Sequence, residues 1–120
     1  MNFEQVSEFK KELKKLHKKW RSLPNDIKDA QLLIKDIYTS NDQEEYRKAF
    51  FNGKRAALLQ KTDNGREVVK MRLDVASLSS DAKVRIVFIA IIEDSTVLFI
   101  ELYAKNDKDR EDLERIKKYL

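Results

Sequence analysis

No cysteine occurs in this sequence, and that absence removes disulfides, Cys-ligated zinc and thiol nucleophiles together. It also fits a reducing cytosol. A single histidine, His17, makes neither a histidine-built metal site nor a catalytic triad. Its place beside the apolar stripe of a helix suits a packing or surface role. The two glycines, Gly53 and Gly65, compose no phosphate-binding loop of the Walker or dinucleotide kind. The longest uncharged run, residues 86–92, is far short of the roughly 20 residues that span a membrane. The opening MNFEQVSEF has no apolar signal-peptide core. The acids Asp107, Asp109, Glu111 and Asp112 fail as a calcium loop, because Lys118 stands where the bidentate Glu belongs; they suit helix capping instead. The sequence thus predicts no metal site, no cofactor and no membrane partner.

Charge is abundant. Lys and Arg number 25 against 21 Asp and Glu, a net of +4. Residues 1–21 hold seven basic and three acidic groups, and residues 54–80 hold six and three. This moderate excess is compatible with a polyanionic partner such as RNA. At 120 residues one domain, 1–120, is expected, with enough chain to build a core.

The apolar residues concentrate in VRIVFIAIIEDSTVLFIELYAK. Its β-branched and aromatic runs around Glu93-Asp94-Ser95-Thr96 predict adjacent strands at 84–92 and 97–103. If Arg85 and Tyr103 share a face, strand alternation requires a loop with an odd residue count. Before this hairpin, NFEQV predicts a short edge strand. Ser7 is the expected cap of a helix whose Phe9, Leu13, Leu16 and Trp20 form one stripe. Lysines cover the rest of that helix, which suits a solvated, phosphate-facing or partner-facing surface. Leu23-Pro24-Asn25-Asp26 predicts a second helix start, with Ile27, Ala30, Ile34 and Ile37 inward. A third short helix is expected at 43–51, ended by Asn52-Gly53. A strand at 56–60, a turn at Thr62-Asp63-Asn64-Gly65 and an alternating strand at 67–75 follow. In that strand Val69, Met71 and Leu73 should face the core, and Lys70 and Arg72 the open side. A Ser-rich loop at 76–83 precedes the hairpin. Residues 107–120 predict a closing helix capped by Asn106 or Asp107, with Leu113, Ile116 and Leu120 inward. The fold class expected is α+β, with a helical pair and a C-terminal helix packed on one face of a small twisted antiparallel sheet.

The element order, the Lys-rich FKKELKKLHKKW helix and the stretches VVKMRLDV, VRIVFIAIIED and VLFIELYAKNDKDRED resemble the RelE/ParE superfamily of bacterial toxins, RelE-like and HigB-like members in particular. The resemblance is loose over most of the chain and best over residues 68–112. It implies a RelE-like fold and the toxin of a type II toxin–antitoxin system. Such a toxin is a small cytoplasmic, metal-independent endoribonuclease, or mRNA interferase, that cleaves mRNA on the ribosome to inhibit translation. The implied partners are a cognate antitoxin protein, mRNA and the ribosome. Related members often carry Lys, Arg and Gly where this chain has the Ser-rich loop. An inert relative that binds protein or nucleic acid is therefore the competing expectation.

Metal-free RNA cleavage needs a base for the 2′-hydroxyl proton, cations for the charged phosphorane and an acid for the 5′-oxygen. The open sheet face supplies the candidates. Arg72 and Arg85 are the expected phosphate clamps, since a guanidinium binds phosphate through two parallel hydrogen bonds. Tyr103 or Lys105 is the expected acid or base, provided cationic neighbours lower its pKa; Glu67 and Glu101 are weaker base candidates. Lys70, Lys83 and Lys108 are the expected RNA-binding cations. The alternative is that these charges solvate an exposed face and pair with Asp74 and Glu101.

Overall fold

The structure, a computed structural model, describes residues 1–52, 55–77 and 83–120. Five strands and four α-helices follow one another as β1 (Asn2–Gln5), α1 (Ser7–His17), α2 (Leu23–Thr39), α3 (Gln43–Phe50), β2 (Ala56–Lys61), β3 (Glu67–Leu73), β4 (Val84–Ile91), β5 (Thr96–Ala104) and α4 (Leu113–Tyr119). The architecture is α+β, with helices packed on one five-stranded sheet of order β1-β5-β4-β3-β2. β2 to β5 form an antiparallel meander, while β1 joins β5 in parallel. The sheet is therefore mixed rather than wholly antiparallel. Residue alternation locates a strand but does not encode the direction of its neighbour.

The core explains the strand sequences. Val69, Met71 and Leu73 are buried, while Lys70 is half-buried and Arg72 exposed. β3 thus has the register its alternation predicts. Phe9 of α1 stacks on Phe99 at 5.3 Å between ring centroids, and Phe99 meets Phe88 edge-on at 6.3 Å. Such ring pairs add about 0.5–1.5 kcal/mol each beyond the burial itself. Ile27, Ala30, Ile34 and Ile37 of α2 bury the inner stripe of that helix. Pro24 sits in the first turn of α2, where its missing N–H leaves no bond unmade. Gly65 adopts φ +87° in the turn between β2 and β3, the conformation its Asn-Gly context favours.

Helices do not all lie on one face. Val87 and Ile89 share the face of Arg85 by alternation, yet both are fully buried. Residues 105–112 and α4 supply the cover. Lys70 Nζ reaches Glu111 at 3.0 Å, the Asp112 N–H donates to Glu101 at 2.8 Å, and Arg66 donates to the Leu120 carbonyl at 3.3 Å. α4 begins later than its apolar spacing suggests, because Asp112, not Asn106 or Asp107, accepts from the Arg115 N–H and caps it. Leu113 is consequently exposed, and Ile116 is the buried anchor. At α1, Ser7 is the first helical residue rather than the cap, and its hydroxyl bonds Glu8. Gly53, expected to end α3, and most of the Ser-rich loop lie outside the described residues.

Candidate anion-binding cleft

Register builds the site. Arg72 of β3 pairs with Arg85 of β4, and Arg85 pairs with Tyr103 of β5. Directly opposed residues share a face, so the three side chains form a row across the sheet. The pairing of Arg85 with Tyr103 does not come from an odd hairpin loop. Ile91 pairs with Thr96, so the loop 92–95 is even, and the parity is restored by a bulge in β5. There Phe99 and Glu101 oppose Phe88 and Val87, and Ile100 is the extra residue. A bulge of this kind re-aims the side chains beyond it. Here it turns Glu101 and Tyr103 onto the face of Arg85. Arg115 donates to the Ile100 carbonyl at 3.0 Å and holds Glu12 at 2.7 Å, closing the bulged edge against α1.

A cleft of ≈ 280 Å³ opens on this face, lined by Arg55, Ala56, Ala57, Lys70, Arg72, Arg85 and Lys105. Ala57 faces Lys70 across β2 and β3, so a small side chain leaves the depression that the cations rim. Arg72 and Lys105 make no ion pair among the described residues. Among the described residues, Arg85 makes only a bond to its neighbour's carbonyl, Val84, at 3.2 Å. The carboxylates expected to neutralise them are occupied elsewhere. Asp74 pairs with Arg55 at 2.6 Å, and Glu101 pairs with Lys108. Burial and the nearby Arg72 charge both push the Arg85 pKa down from its ordinary value, although a guanidinium stays charged at neutral pH. Two guanidinium groups facing each other without a carboxylate are repulsive until an anion lies between them.

Arg55 was not legible as a site residue, because it stands outside any alternating run. It extends the row one strand further, its carbonyl accepting from the Arg72 N–H at 2.9 Å. Among the described residues its buried Nε has no acceptor, which costs about 1–3 kcal/mol. The bond to Asp74, whose side chain is 81% exposed, returns at most about 1 kcal/mol.

Of the other candidates, Lys70 lines the cleft, while Tyr103, Lys83, Lys108, Glu67 and Glu101 are not among its lining residues. Tyr103 is only 5% exposed, and the Lys108 ammonium lies 5.5 Å from its ring centroid. Its pKa is pushed up to about 12, by burial first and then by Glu111 and Glu101, with Arg85 opposing. The condition that cations lower it is therefore not met, and the phenol is a proton donor at neutral pH. Glu101 is fully buried and holds Lys108 and the Asp112 N–H. Lys108 is thereby committed to the protein, and Lys70 is likewise held by Glu111. Lys83 is exposed at the start of β4, its carbonyl accepting from the Lys105 N–H at 2.7 Å. Glu67, buried at the far end of β3, is bridged by Arg47 through both its oxygens and by the Tyr38 hydroxyl. It faces away from the cleft, so it is a structural carboxylate rather than a base. His17 is exposed on α1. Among the described residues, no group of three or more His, Cys, Asp or Glu side chains is arranged to hold a metal ion. Comparison with protein-family models, with curated proteins and with solved structures finds no match for this chain.

Proposed function

We propose that the cleft binds the phosphate backbone of RNA, and that the chain is a RelE-like endoribonuclease acting on mRNA at the ribosome, the toxin of an antitoxin-controlled pair. The observation that carries the reading is the uncompensated Arg72–Arg85 pair in a concave site. One phosphate lying between these groups accepts from both forks and relieves their repulsion. Charge that grows on the phosphorane is stabilised by cations already in place. Tyr103, protonated at neutral pH, is the donor for the leaving 5′-oxygen, and Lys105, which lines the cleft, is the group left to take the 2′-proton, a step that requires its neutral amine rather than its ammonium. An acidic antitoxin segment suits the same basic surface, with attraction that weakens as salt rises.

One observation favours a second reading, that of a binding module without cleavage. Glu67 and Glu101 are both engaged in buried bonds, which leaves Lys105 as the sole base candidate of the set. The deciding experiment measures binding and cleavage separately. Purified protein is titrated with a 2′-O-methyl oligonucleotide, which binds but lacks the nucleophile, and is then incubated with the unmodified RNA on translating ribosomes. Binding with cleavage supports the nuclease, and binding alone supports the module. A protein that binds neither substrate contradicts both.

A further inference from the structure

We infer that Arg55 is a further phosphate contact of the cleft, held on Asp74 until an anion draws it inward. The inference rests on the RNA-binding reading and deepens it. Arg55 lines the cleft with Arg72 and Arg85 and continues their row onto the next strand. Its one charge partner among the described residues is Asp74, at 2.6 Å, and that carboxylate is largely in water. Screening makes such a pair easy to exchange. Among the described residues the buried Nε has no acceptor, which leaves one donor of the guanidinium for a ligand. A phosphate in the cleft offers acceptors to Nε and Nη together, the fork that guanidinium groups favour. Asp74 then returns to solvent without a buried charge being stranded.

This contact changes the class of ligand that fits. Two strand spacings, about 9.6 Å at the backbone, separate Arg55 from Arg85. Arg55, Arg72 and Arg85 together suit successive phosphates of one strand better than a lone phosphate group. Lys70 adds to the count only if Glu111 lets it go.

The test uses the full chain and a fluorescent ten-nucleotide 2′-O-methyl uridine oligomer, with affinity measured across salt concentrations. Each lost phosphate contact on a single strand flattens the slope of log K against log salt by about 0.7. Arg55→Gln is expected to flatten the slope by that amount, and Arg55→Lys is expected to keep it. Asp74→Asn is expected to tighten binding about two- to fivefold by freeing Arg55, within the range of exposed ion pairs. In the Arg55→Gln background that gain should vanish, because the two residues act through one contact. An unchanged slope in Arg55→Gln, while Arg72→Gln flattens it, overturns the role of Arg55 and leaves the RNA reading standing. An Asp74→Asn gain that persists without Arg55 also overturns it, since general charge then explains the effect. A wild-type chain that does not bind the oligomer overturns both.

Discussion

Arg72 and Arg85 stand directly opposite each other on neighbouring strands, on one face of the sheet, with no carboxylate paired to either among the described residues. Like charges opposed across a sheet destabilise it by about 0.2–1 kcal/mol. Arg72→Gln is thus expected to leave stability unchanged or raise it by up to about 1 kcal/mol, since Arg72 is exposed and makes no ion pair among the described residues. RNA affinity should fall in the same variant. Thermal melts and oligonucleotide titration, read together, check this opposition. A variant that loses stability and binding in parallel marks Arg72 as a structural residue.

Tyr103 is expected to move a proton rather than stack on a base, because it is buried and its pKa stands near 12. Tyr103→Phe should slow cleavage by about 10²–10⁴, the usual range for general acid–base catalysis, with oligonucleotide affinity unchanged. The acid form persists across the neutral range, so its contribution should show no alkaline loss up to about pH 10, where an ordinary tyrosine is already half ionised. Single-turnover rates from pH 6 to 10 test both points. Equal rates in Tyr103→Phe and the wild type remove the residue from the mechanism.

How far these features are legible in the sequence depends on how local they are. Alternation in β3 and the stripe of α2 are period effects, and both appear where the spacing puts them. Arg72, Arg85 and Tyr103 also fall in one row across the sheet, yet by a different route. Loop parity is altered by one extra residue, Ile100, and nothing in a run of apolar side chains marks which one bulges. The cover over Val87 and Ile89 depends on Glu101 holding Lys108 and Asp112. That is a long-range bond with no periodic signature. Arg55 joins the site only through β2 pairing beside β3.

Glu67 is 2% exposed and bridged by Arg47 and Tyr38, tying α3 and α2 to β3. Burial, and then the hydrogen bond to Glu67, pushes the Tyr38 pKa far above its ordinary value. A raised folded-state pKa means that this contribution is complete below the unfolded value near 10 and is lost as pH climbs above it. Arg47→Ala leaves the buried Glu67 carboxylate without its cation and should cost about 3–5 kcal/mol. Urea denaturation of Arg47→Ala against the double variant Arg47→Ala/Glu67→Gln measures it. Recovery of much of the loss in the double variant is the expected result; no recovery argues that packing, not charge, holds α3.

Glu8 fastens α1 to α4 through the Tyr119 hydroxyl at 2.6 Å and Lys118 at 3.3 Å. The Tyr119 bond, with a backbone bond next, draws the Glu8 pKa down to about 2 from 4.5. A depressed folded-state pKa places this contribution above pH 4.5 and removes it as pH falls toward about 2. Tyr119 side-chain resonances should therefore shift over that acid window, and the shift should be absent in Glu8→Gln. A wild-type midpoint near the ordinary carboxylate value contradicts the tether.

The central claim is that the uncompensated cations across the sheet hold an RNA phosphate at the point of cleavage, and Arg85→Ala tests it most directly. RNA cleavage on translating ribosomes is measured for the wild type and the variant, with melting curves confirming that both are folded. Loss of about 10²–10³ in rate is expected, the usual effect of removing a group that meets charge in the transition state, with the melting temperature close to that of the wild type. Full cleavage by a folded Arg85→Ala protein contradicts the account.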